Sequence, residues 1–310
     1  MAPTTPTDHR PQLNLTITTF GTAPGGDWRA LLDLTRQVET AGVDSIVFTD
    51  NVVNGPDVAD YPWGRFPTGP EADWLEPLTV LTAVAAATER LRLSTGVLVA
   101  PLRPAALLAK TVATLDALSG GRVDLGVGTG WQQAEFDAMG LDFDARGQLL
   151  TDTVAACRAL WEGGPTTFES STVSLRDVHC APRPVQDRLP VWFSGSLHRR
   201  NVERIVSLGD GWIPIMGSTD DQIADGARLL AREFDAVGRG ERPQVRAAVS
   251  PVRGDDGRPD LHATFAGVPA LIDAGVTQVQ VGLQAVDPKL RDVPGATAAL
   301  VDAFHAAVGE

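Results

Sequence analysis

Lysine is almost missing from this 310-residue chain. Of its 26 basic residues only Lys110 and Lys289 are lysine, so Schiff-base catalysis would have to use one of two positions. Cysteine is as scarce. Cys157 and Cys180 form no metal or redox spacing, and reduced thiols in a cytoplasmic protein are the expectation. The five histidines, His9, His179, His198, His262 and His305, make no pair at metal-ligand spacing, so no metal is expected. No G-x-S-x-G occurs, which removes the usual hydrolase elbow. Asp50 has no companion acid for glycosidase chemistry. No apolar run approaches the roughly 18 residues of a membrane span. Basic charge is in deficit, 26 residues against 39 acidic ones and net −13. The densest basic pair is Arg199–Arg200, too little for a nucleic-acid footprint.

What is present is alternation. After a polar, Pro-rich stretch at residues 1–12, expected to be a disordered tail, strand patterns fall at 13–20, 45–50, 91–100, 123–128, 190–194, 211–216, 245–252 and 278–283. Helical patterns fall at 27–41, 75–88, 105–118, 148–161, 199–208, 220–237, 265–274 and 296–308. The segment 165–189 reads as a small hairpin excursion. Strand–helix alternation implies parallel strands, and eight units in one chain predict a single (β/α)8 barrel domain over residues 13–310. A doubly wound open sheet is the rival. It usually carries a glycine-rich turn after its first strand, and Gly21-Thr-Ala-Pro-Gly25 is not that fingerprint.

In such a barrel, chemistry sits at the carboxyl ends of the strands. Asp50 and Asn51 end the second strand. Asp50 reads either as a ligand anchor or proton-transfer group, or as a loop cap bonded to nearby backbone. Gly126-Val-Gly-Thr-Gly130 places glycines on one strand face. That opens room for a planar ligand, or for close backbone approach at a tight corner. Ser194, Gly195 and Ser196 precede a helix start, where backbone N–H groups could hold a phosphate; serine and glycine are also ordinary cap residues. The loop from Asp60 to Trp74 holds Tyr61, Trp63 and Phe66. With Trp74 and Trp131 it reads as a substrate cover, the alternatives being an oligomer contact or packing over the barrel end.

Four ordered blocks carry a resemblance. They are Ser94-Thr-Gly-Val-Leu-Val-Ala-Pro-Leu-Arg-Pro104; Ala109-Lys-Thr-Val-Ala-Thr-Leu-Asp-Ala-Leu-Ser-Gly-Gly-Arg122; Gly126-Val-Gly-Thr-Gly-Trp131 with Glu135-Phe136, Gly140 and Arg146-Gly147; and Pro190-Val-Trp-Phe-Ser-Gly195 with Gly209-Asp-Gly-Trp-Ile-Pro214. Together they resemble the luciferase-like flavin and deazaflavin oxidoreductases, over about residues 13 to 215. The resemblance implies a barrel with insertions, a homodimer, and FMN or coenzyme F420 at the carboxyl face. The third block looks more like the F420 branch. The resemblance also implies a non-proline cis peptide at Gly96–Val97, and a phosphate site at Ser194, Gly195 and Ser196. Asp50, Val99, Gly128, Thr129, Gly130, Asp210, Gly211 and Trp212 complete the implied cofactor neighbourhood. F420-type members typically have Asp-His where this chain has Asp50-Asn51, and an amide cannot take up a proton. The implied activity is therefore F420-dependent reduction of an activated C=C or C=N bond in a small molecule. Asp50, Asn51 and Tyr61 are the candidate catalytic residues. The alternatives are an FMN-dependent monooxygenase and a flavin carrier without turnover.

Overall fold

The computed structural model describes residues 10–55, 58 and 60–309. Eight parallel strands close into a barrel: β1 (Gln12–Thr16), β2 (Ser45–Phe48), β3 (Arg92–Thr95), β4 (Val123–Gly128), β5 (Val191–Ser194), β6 (Gly211–Ile213), β7 (Gln244–Ala248) and β8 (Gln278–Gly282). Each pairs in parallel with the next, and β8 pairs with β1 to close the ring. The expected (β/α)8 architecture is what forms. The helices that position the mouth are α1 (Ala30–Thr40), α2 (Pro77–Ala87), α3 (Ala105–Ser119), α4 (Gln133–Met139), α5 (Arg146–Glu162) and α6 (Arg199–Leu208). The hairpin Thr166–Glu169 with Ser174–Val178 is the expected excursion.

Local chemistry sets the boundaries. Pro77 at the first helical position and the Glu76 carboxylate, which accepts from Thr79 N at 2.7 Å, start α2. Gly120, at φ 70°, ends α3 in the left-handed conformation that suits glycine. The helix expected from residue 27 begins only at Ala30, and the Asp27 carboxylate before it accepts from Arg29 N. The strand expected at 91–100 is broken after Thr95 and resumes as Leu98–Val99. The helix expected at 265–274 is two short pieces, Leu261–Phe265 and Val268–Asp273. Residues 1–9 of the expected tail lie outside the described residues. Residues 10–12 belong to the fold instead, because Arg10 pairs with Asp44 at 2.5 Å and Gln12 opens β1.

Alternation along β1 splits its side chains between two surroundings. Leu13 and Leu15 pack outward under the helices. Asn14 is buried and donates to Gln278 Oε1 at 2.7 Å. Gln278 also accepts from Arg246 Nε at 2.8 Å, and Arg246 reaches Ser94 Oγ at 2.8 Å. Arg246 stacks on the buried Trp192 indole, its Cζ 4.7 Å from the ring centroid. A Cβ at Gly211 would lie 2.4 Å from that indole, so the glycine makes room for tryptophan. The barrel interior is thus a polar layer packed on one aromatic ring, and burial lowers the Arg246 pKa to about 10.

Candidate active site at the barrel mouth

The break in the third strand shapes the mouth. The Gly96–Val97 peptide is cis, as the resemblance implies. A Cβ at Gly96 would lie 2.4 Å from Val47 Cγ1, so only glycine fits. The glycines of β4 answer this bulge. A Cβ at Gly126 would meet the Thr95 carbonyl oxygen at 2.1 Å. One at Gly128 would meet Val97 Cγ2 at 2.8 Å, and one at Gly130 would meet Val99 Cγ1 at 2.7 Å. Of the two readings of this ladder, close approach of the neighbouring strand accounts for all three glycines. Thr129, partly exposed, stands at the mouth between them.

Asp50 also serves the bulge. Its side chain is fully buried, with Arg103 at 2.6 and 2.9 Å and Val99 N donating at 2.8 Å. Arg103 reaches on to Glu76 at 2.9 Å. Burial opposes the guanidinium charge, but Asp50 and Glu76 outweigh it and raise its pKa. This is the loop-cap reading of Asp50: Oδ2 accepts from Arg103 and Val99 N, and Oδ1 accepts from Arg103. Asn51 is buried beside it and donates to Asn54 Oδ1 at 3.1 Å.

The aromatic residues do converge. The Tyr61 ring centroid lies 5.4 Å from those of Trp63 and Phe66 and 5.1 Å from that of Trp131. Phe66 continues to Trp74 at 5.8 Å, and Trp74 stacks on Phe20 at 4.1 Å. The backbone helps, since Phe20–Gly21 pairs with Asp73–Trp74. A cavity of about 500 Å³ runs along residues 64–69. Burial raises the half-buried Tyr61 phenol above its usual pKa, so it is a neutral donor at pH 7.

After β5, Gly195 takes φ 116°, open only to glycine. Its N–H donates to Ile213 O at 3.1 Å, so this amide is not free for an anion. Asn201 Nδ2 holds the Ser194 and Ser196 carbonyls at 3.3 and 3.1 Å, and Trp212 Nε1 holds Gly195 O at 2.7 Å. Trp212 therefore supports this loop from behind. No side chain caps α6 at His198, which leaves the helix start open to a negative group.

Two expected cofactor residues lie at the wrong end. Asp210 and Gly211 stand at the amino end of β6, opposite the mouth. Asp210 is occupied by Arg158 at 2.5 Å, Arg188 at 2.5 Å, Arg239 at 3.3 Å and Val191 N at 2.9 Å. A residue just before a parallel strand can only face the barrel bottom. Sequence reasoning missed Arg103, Gln132 and Glu135. Arg103 and Glu135 lie inside quoted blocks and Gln132 directly follows one, but nothing in the spacing says what each touches. Glu135 is 1% exposed and accepts from Val52 N at 2.8 Å. Burial pushes its carboxyl up to about 7; the Val52 N–H opposes this and the nearby Asp50 charge adds to it.

The sequence model of the luciferase-like monooxygenases matches residues 5–268. This chain belongs to that family. An uncharacterized protein of Mycobacterium tuberculosis is 34% identical over 210 residues, covering 67% of this chain and 70% of its own length. Among solved structures, an F420-dependent secondary alcohol dehydrogenase in complex with an F420–acetone adduct superposes with TM-score 0.73 at 17% identity, over 95% of this chain and 99% of that one. The monooxygenase RslO1 of Streptomyces bottropensis superposes with TM-score 0.67 at 19% identity, over 96% and 89%. At those identities the superpositions speak to the fold. Family membership makes this chain an oxidoreductase or monooxygenase. Among the described residues, no helix is long and apolar enough to cross a membrane.

Proposed function

We propose that the protein is an F420-dependent oxidoreductase that reduces an activated C=C or C=N bond in a small molecule. The observation that carries the reading is the mouth itself. An aromatic wall built on Tyr61, Phe66, Trp74 and Trp131 shares the carboxyl face with the open start of α6. A flat ring system with a phosphorylated tail needs both. Ser194, Ser196 and the first turn of α6 would hold the phosphate, with Asn201 and Trp212 fixing the loop. Val97, Val99, Gly128, Thr129 and Gly130 would form the floor under the ring. When bound, the deazaflavin supplies a hydride at C5; the chain supplies orientation and a proton. Asp50 is held by Arg103 and Val99 N and Asn51 is an amide, so this reading assigns the proton to the Tyr61 hydroxyl, 3.9 Å from Met216 Sδ. The F420 preference comes from the Gly126–Trp131 and Glu135–Phe136 pattern. The family's monooxygenase description favours a second reading, reduced FMN with oxygen.

Titration of F420 and of FMN into the purified protein, followed by fluorescence, separates these. Quenching of F420 at micromolar protein with none for FMN is expected. FMN binding with oxygen consumption on reduction would replace the proposal with the second reading. Binding with no turnover over a broad panel of activated alkenes and imines would leave a carrier. The implied homodimer is tested on the same sample by its mass in solution.

A further inference from the structure

The segment 51–55 carries Asn51 along the mouth and leads toward the aromatic loop. It contains neither helix nor strand. Its valine side chains do little to hold it, since Val52 and Val53 are 36% and 39% exposed, while Asn51 donates to Asn54 and Asn54 to Pro70 O at 3.3 Å. Its backbone, by contrast, is gripped by Glu135 of α4 and by Gln132, the residue that precedes that helix. Val52 N donates to Glu135 Oε1 at 2.8 Å, Gln132 Nε2 donates to Val53 O at 3.0 Å, and Gly55 N donates to Gln132 Oε1. The approach is as close as it can be. A Cβ at Gly55 would lie 2.9 Å from Ala134 Cβ and 3.2 Å from Gln132 Oε1. Both gripping side chains are buried, Glu135 at 1% and Gln132 at 5% exposure.

We propose that Gln132 and Glu135 are positioning residues that clamp segment 51–55 by its backbone and so set the place of Asn51 beside the bound ring. The last clause rests on the flavin-type reading of the mouth; the clamp itself does not. The charged groups facing the Glu135 carboxyl are Asp50, at the end of β2, and Arg103, with Glu76 behind it. A carboxylate is a stronger acceptor than a carboxyl. With its pKa near 7, Glu135 holds Val52 more tightly above that pH than below it. The clamp is thus proton-linked, firm when Glu135 is charged and looser when it is neutral.

The test is amide hydrogen exchange at Val52 and Gly55 in the ligand-free protein between pH 5.5 and 8.5, corrected for intrinsic rates. Protection of Val52 is expected to rise about tenfold over the range, the difference between a neutral and a charge-assisted bond, with its midpoint near 7. Glu135→Gln keeps an acceptor but cannot titrate, so its protection is expected to be flat with pH. Glu135→Ala is expected to lose the protection at every pH, and Gln132→Ala to lose it at Gly55 first. If Glu135→Ala fails to fold, Glu135→Gln and Gly55→Ala decide, the latter by pushing the segment away from α4. Unchanged Val52 protection in a folded Glu135→Ala, or in Gly55→Ala, overturns the clamp. A pH midpoint that survives in Glu135→Gln overturns the proton linkage. F420 titration of the same variants reads the effect on Asn51, with a several-fold weaker affinity expected for Glu135→Ala. If the wild-type protein binds no F420, the cofactor reading fails alone and the exchange results still judge the clamp.

Discussion

Replacing Asp50 by alanine removes one carboxylate and strands three donors. Two are Arg103 N–H groups, bonded at 2.6 and 2.9 Å; the third is the Val99 N–H, at 2.8 Å. Breaking a buried ion pair from one side costs about 3–5 kcal/mol, because the remaining charge is left uncompensated. Arg103 keeps a second partner in Glu76, whose side chain is 42% exposed, and that places the charge contribution at the low end. The orphaned Val99 N–H adds about 1 kcal/mol or more. A total near 4 kcal/mol follows, which for a chain of 310 residues lowers the melting temperature by roughly 6 °C. Denaturant unfolding of Asp50→Ala, Arg103→Met and the double variant measures it as a cycle. The double variant should recover at least about 2 kcal/mol against the sum of the singles. An Asp50→Ala within about 1 kcal/mol of wild type, or a strictly additive cycle, would falsify the anchoring role. The result also bears on activity. If Asp50 secures the bulge through Val99, loss of turnover in this variant reports a displaced floor and says nothing about proton transfer by Asp50.

Two further substitutions probe the mouth. Gly126→Ala drives a Cβ to 2.1 Å from a backbone oxygen, whereas Gly128→Ala meets only a valine methyl at 2.8 Å. The first is expected to cost more than about 3 kcal/mol and the second clearly less, since a side chain can yield where backbone cannot; thermal melts that reverse this order contradict the ladder reading. Tyr61→Phe removes a hydroxyl whose contact is Met216 Sδ at 3.9 Å, so stability should stay within about 1 kcal/mol of wild type. Its turnover with a reducible substrate should fall by about 10²-fold if the phenol is the proton donor. Full activity in that variant would remove Tyr61 from the chemistry.

The barrel was legible in the sequence because its signal is local. The eight barrel strands and most of the helices between them announce themselves by periodicity, and eight alternations leave few parallel topologies. Motif-bearing positions were legible in the same way, since a glycine or a serine at a strand end is visible in one dimension. Roles were not. Asp50 reads equally as a functional acid or a loop cap until Arg103, 53 positions on, is folded against it. Asp210 reads as a mouth residue until the short β6 shows it at the far end. The glycines at 126, 128 and 130 read as room for a ligand or as close backbone approach until the bulge of the neighbouring strand is seen to fill that room.

By itself, then, the sequence determined the parallel barrel and the set of aromatic residues that meet at the mouth. Only the tertiary structure decided which polar groups are free to act. Whether a carboxylate is available depends on what lies within hydrogen-bond reach. That is set by contacts such as Glu135 with Val52, 83 residues apart, which no local pattern encodes.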